Sequence, residues 1–170
     1  DFKATTSKVG EYSQQSTLAE NINALAYVNT DYYNEGSRLP YSAMIVNGKL
    51  IYAPREPTNV VGVSTSPFDP KNPYSGVSNF KVGTISFNVS GVNQPTLSGT
   101  SAATAYTPAA AVTSLPANTA AVLLVNNVVS KLFVSGTTAK PKSGILIIAS
   151  GTPASRIKKL KLGQRVSFKL

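Results

Sequence analysis

The stretch that decides the fold class is residues 43–52, Ala43-Met44-Ile45-Val46-Asn47-Gly48-Lys49-Leu50-Ile51-Tyr52. An Asn-Gly pair tolerates the positive φ angles of a two-residue hairpin turn, and β-branched and apolar residues flank it on both sides. The pattern therefore predicts an antiparallel hairpin. Pro54 would end its second strand, because proline has no N–H group to donate to the ladder.

More strand patterns follow along the chain. Residues 60–64 begin a strand, and residues 82–92 alternate so that Ile85, Phe87 and Val89 form an apolar face. After a predicted loop at 98–103, four further strands are expected, at 120–125, 128–134, 145–149 and 165–170. Asn126-Asn127 fits a tight turn between the first two of these. A strand at the end of the chain is an exposed edge, which suggests that the domain is incomplete.

One short helix is expected near the start of the chain. Thr17 and Glu20 have capping-box spacing, and Leu18, Ile22 and Leu25 recur at helical intervals. The helix should end near Val28. Residues 24–28 could instead begin a buried strand, because a short apolar run does not separate the two structures.

Together these patterns predict an α+β fold that is mainly β, with an antiparallel or mixed sheet and a short N-terminal helix. A length of 170 residues suits one domain or a part of one, so residues 1–170 are taken as a single unit. No apolar run is long enough to cross a bilayer, and no transmembrane segment is predicted. The start at Asp1 fits either a mature secreted chain or an excised segment.

The composition excludes several kinds of chemistry. The chain has neither cysteine nor histidine, which removes disulfides, thiolate metal sites and imidazole general bases. We therefore predict no cofactor. A metal, if one binds, would be a hard cation such as calcium held by oxygen ligands.

Charge is distributed unevenly along the chain. The formal net charge is +9, and every aspartate and glutamate precedes Pro70. A basic surface attracts nucleic acid, anionic membranes and anionic glycans through the same long-range field, although it can also be a cationic surface without a partner. The basic run Arg156-Ile157-Lys158-Lys159-Leu160-Lys161 is interpreted as a solvated face in preference to a polymer-binding site.

An ordered series of short motifs carries a family resemblance. Its first member is the apolar run that leads into Asn29-Thr30-Asp31-Tyr32-Tyr33, and the Leu39-Pro40 step and the Asn47-Gly48-Lys49 hairpin follow. Further matches are Gly91-Val92-Asn93-Gln94-Pro95, Ala105-Tyr106-Thr107-Pro108, the apolar strand ending at Gly151, and Leu162-Gly163-Gln164-Arg165-Val166. In this order the chain resembles the phosphodiester glycosidase family, which includes N-acetylglucosamine-1-phosphodiester α-N-acetylglucosaminidase, the uncovering enzyme.

The resemblance implies which part of that domain is present. Thr30 stands where the family usually has glycine, and the family's later Arg-Thr and Asp-Gly-Gly-Gly-Ser segments have no counterpart in these residues. It therefore implies the N-terminal part of a phosphodiester glycosidase domain. A second chain or fragment would then complete the site.

The resemblance also selects candidate site residues. It implies Asp31 and Asn29 as catalytic, with Tyr32, Tyr33, Arg38 and Asn93 binding substrate. A carboxylate can activate water or stabilise an oxocarbenium-like centre, and an arginine can hold the departing phosphate. Residue types alone favour a cap or turn in the loop as the role of Asp31, and they favour solvated loop charges as the role of Arg38 and Glu35.

Three functions remain open from the sequence. The first is hydrolysis of a sugar phosphodiester in an extracellular or envelope glycan, with an anionic or phosphorylated glycan as partner. The second is a non-catalytic glycan-binding or surface module. A nucleic-acid binder ranks last, because no aromatic residues are interleaved with the basic residues as in nucleic-acid-binding motifs, so no specific nucleic acid is expected.

Overall fold

The computed structural model describes residues 13–24, 33–37, 39–41, 43–46, 49–54, 77–95, 100–110, 113–134, 136, 138–139 and 141–170. In chain order the elements are α1 (Gln15–Asn21), β1 (Tyr33–Asn34), β2 (Leu39–Pro40), β3 (Met44–Val46), β4 (Lys49–Tyr52), β5 (Val77–Val82), β6 (Ile85–Ser90), β7 (Ala103–Tyr106), β8 (Thr113–Ser114), β9 (Thr119–Val125), β10 (Val128–Val134), β11 (Thr138–Ala139), β12 (Ile145–Ser150) and α2 (Gly151–Ile157). All the strand pairs among them are antiparallel. The predicted mainly-β α+β fold with a short N-terminal helix is confirmed.

The largest sheet has four strands in the order β10-β9-β12-β7. β9 and β10 form a hairpin through Asn126 and Asn127, whose φ angles are 51° and 57°. Asparagine tolerates this left-handed conformation better than other residues with a Cβ atom. The predicted turn between these two strands is therefore confirmed.

The central strand β12 is buried on both faces, which explains why its sequence is continuously apolar. Ile147 and Ala149 belong to the larger core cluster, whereas Leu146 and Ile148 belong to a second cluster on the opposite face. Successive side chains of a strand point to opposite faces, so each residue packs into one core only. The predicted strand at 145–149 is confirmed.

β5 and β6 form a hairpin that covers the larger core. Phe80 and Phe87 face each other across it with ring centroids 4.6 Å apart and stacked. The predicted strand at 82–92 was wrong at its start, because Val82 ends β5 and Gly83 turns the chain with φ 56°. Its apolar face was correct: Phe87 and Val89 are buried, and Ile85 packs against the same cluster.

Residues 165–170 were predicted to form a strand, but they are extended chain that makes isolated bridges. Arg165 bridges Val128 of β10, and Ser167 bridges Lys81 of β5. The Lys81 N–H donates to the Ser167 carbonyl at 3.0 Å, and the Ser167 N–H donates back at 2.9 Å. This segment therefore connects the β5-β6 hairpin to the four-stranded sheet.

Two other predictions were wrong in their boundaries. α1 begins at Gln15 after Gln14, so Thr17 lies within the helix and caps nothing, and the helix ends at Asn21 well before residue 28. The predicted loop at 98–103 was one residue too long, because Ala103 is the first residue of β7.

α2 was not predicted. It follows β12 directly and buries Ala154 and Ile157 against the larger core. Pro153 lies in its first turn, where proline is tolerated because that N–H would have no partner within the helix.

Candidate functional site

Three segments meet beside the outer strand β7. Ala53, which directly follows β4, forms an antiparallel bridge with Val92, and Val92 forms a parallel bridge with Ala105 of β7. The Ala53 N–H donates to the Val92 carbonyl at 3.2 Å, and the Val92 N–H donates to the Ala53 carbonyl at 2.9 Å. The predicted β3-β4 hairpin, whose ladder is confirmed, is thereby joined to the large sheet.

Asn93 holds this junction together. It is only 5% exposed and has a φ of 56°, and its backbone N–H donates to the Ala105 carbonyl at 2.8 Å. Its side-chain amide donates to the Ile51 carbonyl and, at 2.9 Å, to Thr107 Oγ1. Its Oδ1 accepts the Thr107 N–H at 2.8 Å. The amide group therefore has internal partners on both its nitrogen and its oxygen.

Gln94 continues the same set of contacts towards the surface. Its side-chain Nε2 donates to the Ala53 carbonyl at 2.6 Å, and its backbone carbonyl accepts the Tyr106 hydroxyl. Gln94 and Tyr106 are both buried. Because buried polar groups are costly unless they are hydrogen-bonded, these contacts fix the position of residues 93–94 on the sheet.

An open cleft of about 380 Å³ lies on the outer side of this junction. The β1-β2 hairpin and residue 41 form one wall, and the chain at the end of β4 and Gln94 form the other. The lining residues are Asn34, Ser37, Leu39, Pro40, Tyr41, Tyr52, Pro54 and Gln94. Amide, hydroxyl, aromatic and aliphatic groups are therefore mixed around one concave surface, which is common in sites for small molecules.

Two exposed tyrosines lie in the β1-β2 hairpin or directly after it. Tyr41 is 57% exposed and Tyr33 is 48% exposed, and only Tyr41 lines the cleft. Asn34 shapes the turn, because its Oδ1 accepts the Ser37 N–H at 2.8 Å. An asparagine that accepts from the chain ahead of it is a typical local turn device.

The structure describes only some of the predicted site residues. Tyr33 lies in β1 and is exposed, and Asn93 is buried at the junction behind the cleft. Asn29, Asp31, Tyr32 and Arg38 lie outside the described residues. Catalytic and substrate-binding roles for all six therefore stay predictions.

Sequence reasoning missed the residues that line the cleft, notably Tyr41, Asn34 and Gln94. Gln94 carried a signal, because it adjoins Asn93 in the Gly-Val-Asn-x-Pro element and would point away from it in extended chain. Tyr41 directly follows the Leu39-Pro40 step. Neither pattern indicated that Tyr41 and Gln94 would line the same cleft.

A second depression lies between β5 and residues 165–169. It measures about 750 Å³, and its lining includes Asn79, Lys81, Asn127, Arg165 and Lys169. We call this depression the basic groove. None of the described residues that line it carries a carboxylate side chain.

Neither a cluster of metal ligands nor a membrane-spanning helix occurs in the part of the chain that the structure describes. The described residues contain no group of three or more aspartate, glutamate, histidine or cysteine side chains placed to hold a metal ion. They also contain no helix that is long and apolar enough to cross a membrane.

Comparison with known proteins shows the fold alone. No family model and no curated protein matches the chain. A crystal structure of a Burkholderia pseudomallei protein described as exported has a TM-score of 0.67 at 16% identity, over 96% of this chain and 40% of that one. A Synechocystis protein described as hypothetical has a TM-score of 0.53 at 16% identity, over 98% of this chain and 31% of that one. The chain thus spans well under half the length of either protein.

Proposed function

We propose that this chain forms one wall of a glycan-binding site in an extracellular hydrolase that cleaves sugar phosphodiesters. The observation that carries the proposal is the cleft between the β1-β2 hairpin and Gln94, where tyrosine rings lie beside amide and hydroxyl groups. Its volume of about 380 Å³ is in the usual range for small-molecule sites, about 300 to 1,000 Å³. Sugars present both hydroxyls and apolar ring faces, so this lining suits them.

The catalytic part of the proposal is supported by the sequence position of Asp31, close to a strand that lines the cleft. Asp31 comes two residues before β1, the strand that contributes Asn34 to the cleft wall. A carboxylate at the cleft could activate water or stabilise positive charge on the sugar, and phosphate is a good leaving group. Asn29 would orient the water or the substrate, and Tyr32 and Arg38 would contact the sugar and the phosphate.

A further part of the polypeptide, or a second chain, would complete this site. The chain spans 40% and 31% of the Burkholderia pseudomallei and Synechocystis proteins, and the Arg-Thr and Asp-Gly-Gly-Gly-Ser segments of the phosphodiester glycosidases are not among its residues. An extracellular or envelope location is supported by the neighbour that is described as exported.

Hydrolysis tests the catalytic proposal. We expect the protein in its natural full-length form to release reducing sugar from a panel of methyl diesters of hexose-1-phosphate and N-acetylhexosamine-1-phosphate. Asp31→Asn should lower kcat by about 100-fold or more, since a positioned acid-base group contributes about 100- to 10,000-fold. Glu20→Gln is the control, because Glu20 is exposed in α1, and it should leave kcat unchanged.

Binding tests the cleft separately. Tyr41→Ala should weaken the affinity for the same diesters about tenfold, whereas Tyr41→Phe, which keeps the ring, should stay within about threefold of wild type. Equal affinity in wild type and Tyr41→Ala would exclude the cleft as the binding site.

A non-catalytic glycan-binding module is the second candidate. It is favoured by one observation: the described residues that line the cleft include no carboxylate. Tyrosine-dependent binding without hydrolysis by the full-length protein would select this function over the first.

A further inference from the structure

We infer that the basic groove binds a stretch of anionic polysaccharide, at a site separate from the cleft. The inference starts from the alternating exposure of side chains in the extended segment 165–170. Arg165, Ser167 and Lys169 are exposed, whereas Val166 and Phe168 between them are buried. This alternation places both cations on the outer face of the segment, because side chains of extended chain alternate in direction.

The neighbouring strand β5 continues that outer face. Asn79 and Lys81 are exposed on either side of the buried Phe80. Lys81 lies directly opposite Ser167, which places it diagonally between Arg165 and Lys169, at about 7 to 8 Å from each by ordinary strand geometry. Three cations therefore form a triangle on one surface.

The inner face of the same strands makes this surface rigid. Phe80 stacks on Phe87 and lies 6.3 Å from Phe168, ring centroid to ring centroid. These rings belong to the larger core. The three cations are consequently attached to backbone that is fixed by buried aromatic packing and by the two hydrogen bonds between Lys81 and Ser167.

Among the described residues, no carboxylate side chain lines the groove beside the triangle. The sequence has none from Pro70 to Leu170, the part of the chain that supplies all three cations. Like charges placed near one another on a sheet destabilise the fold, so an uncompensated cluster favours an anionic ligand. The Asn127 amide adds a group that can donate to hydroxyl or acidic oxygens. Asn79 Nδ2 donates to Asn88 Oδ1 at 3.2 Å, and its second N–H can donate in the same way.

The lining favours a glycan over single-stranded nucleic acid and over a membrane surface. Single-stranded nucleic acid is held by stacking on exposed rings, and the groove's aromatic residue, Phe168, is only 5% exposed. Stable binding at a membrane interface is strengthened by exposed apolar side chains beside the cations. The exposed large apolar residues of the described chain are Tyr33, Tyr41, Ile45, Val134 and Leu162, and none of them lines the groove.

The test compares two triple variants with equal loss of charge. Lys81→Gln, Arg165→Gln and Lys169→Gln are combined to remove the groove's cations. The matched control combines Lys142→Gln, Lys158→Gln and Lys159→Gln, which are exposed and lie outside the groove. Binding of dextran sulfate to the full chain is measured by calorimetry, with neutral dextran, oligodeoxythymidylate and phosphatidylserine vesicles as comparison ligands.

We expect the groove variant to bind dextran sulfate about tenfold more weakly than wild type, since three exposed ion pairs contribute a few-fold each. The control variant should stay within about twofold. Equal losses in the two variants would mean that only net charge matters and would overturn the proposal. Absent binding to dextran sulfate, or tighter binding to oligodeoxythymidylate or vesicles, would overturn it as well.

A second measurement uses only the wild-type protein, so its result does not depend on whether the variants fold. Bound dextran sulfate should protect Lys81 and Lys169 from acetylation at least fivefold more than Lys142 and Lys159. Uniform protection of all four lysines would contradict a site in the groove. Because this site is separate from the cleft, sugar-phosphodiester hydrolysis can succeed or fail independently of it.

Discussion

Replacing Asn93 with alanine tests whether its amide holds the cleft wall on the sheet. The change leaves the Thr107 N–H and the Ile51 carbonyl without the amide partners that they have in the native fold. It also forces a residue without a favourable left-handed conformation to adopt a φ of 56°.

The expected loss of stability follows from these contacts. Each unsatisfied buried group costs about 1 to 3 kcal/mol, and the left-handed backbone costs alanine about 1 to 2 kcal/mol. Thr107 is half-buried, so the cost of leaving its N–H unsatisfied lies near the lower limit of that range. We expect Asn93→Ala to lower the free energy of unfolding by about 3 to 5 kcal/mol, a large part of the usual 5 to 15 kcal/mol.

Two variants separate the loss of the amide hydrogen bonds from the cost of the left-handed backbone. Asn93→Gly removes the amide but relieves the backbone, so it should be about 1 kcal/mol more stable than Asn93→Ala. Thr107→Val removes the hydroxyl that accepts from Asn93 Nδ2, and its effect should be less than additive with Asn93→Ala because the two residues are in contact.

Urea unfolding followed by circular dichroism measures all of these free energies. A loss below about 1 kcal/mol for Asn93→Ala would refute the view that its amide holds the junction. Equal stability of the glycine and alanine variants would refute the backbone contribution.

Further expectations compare substitutions at crowded or buried positions with matched substitutions at open or exposed positions. Gly144→Ala should lower the free energy of unfolding by about 4 kcal/mol or prevent folding, because an added Cβ would lie 2.0 Å from the Leu124 carbonyl oxygen. Gly136→Ala, also at positive φ but with open space, should cost only about 1 to 2 kcal/mol in the same urea titration; equal costs would contradict the steric reason. Phe80→Ala should cost about 3 to 5 kcal/mol because the ring is fully buried. Val134→Ala, at a side chain that is 70% exposed, should stay within about 0.5 kcal/mol by thermal unfolding. A small effect of Phe80→Ala would contradict the aromatic packing.

The sequence predicted the parts of the fold that depend on local pattern. The Asn126-Asn127 turn and the apolar run of β12 carry their signals in consecutive residues, and both were correct. β5 was missed because Gly83, a single residue in an alternating stretch, turns the chain. α2 was missed because its seven residues contain glycine and proline, and burial against the core stabilises it more than intrinsic propensity does.

The candidate site was harder to predict because contacts between distant segments form it. Asn34, Tyr41 and Gln94 line one cleft. They do so in a fold where Ala53, directly after β4, bridges Val92, which in turn bridges β7. Nothing near Gln94 in the sequence encodes that bridge. The basic groove likewise needs Lys81 to lie beside the segment 165–169, although the sequence did show that acidic side chains are missing there.

The most direct test of the proposed function is the position of bond cleavage. The full-length protein is incubated with a sugar-1-phosphate methyl diester in water labelled with heavy oxygen, and both products are weighed by mass spectrometry. A glycosidase places the label on the sugar, because water attacks the anomeric carbon, and Asp31→Asn should abolish that incorporation. Label on the phosphate, or no turnover of any diester, would contradict the account.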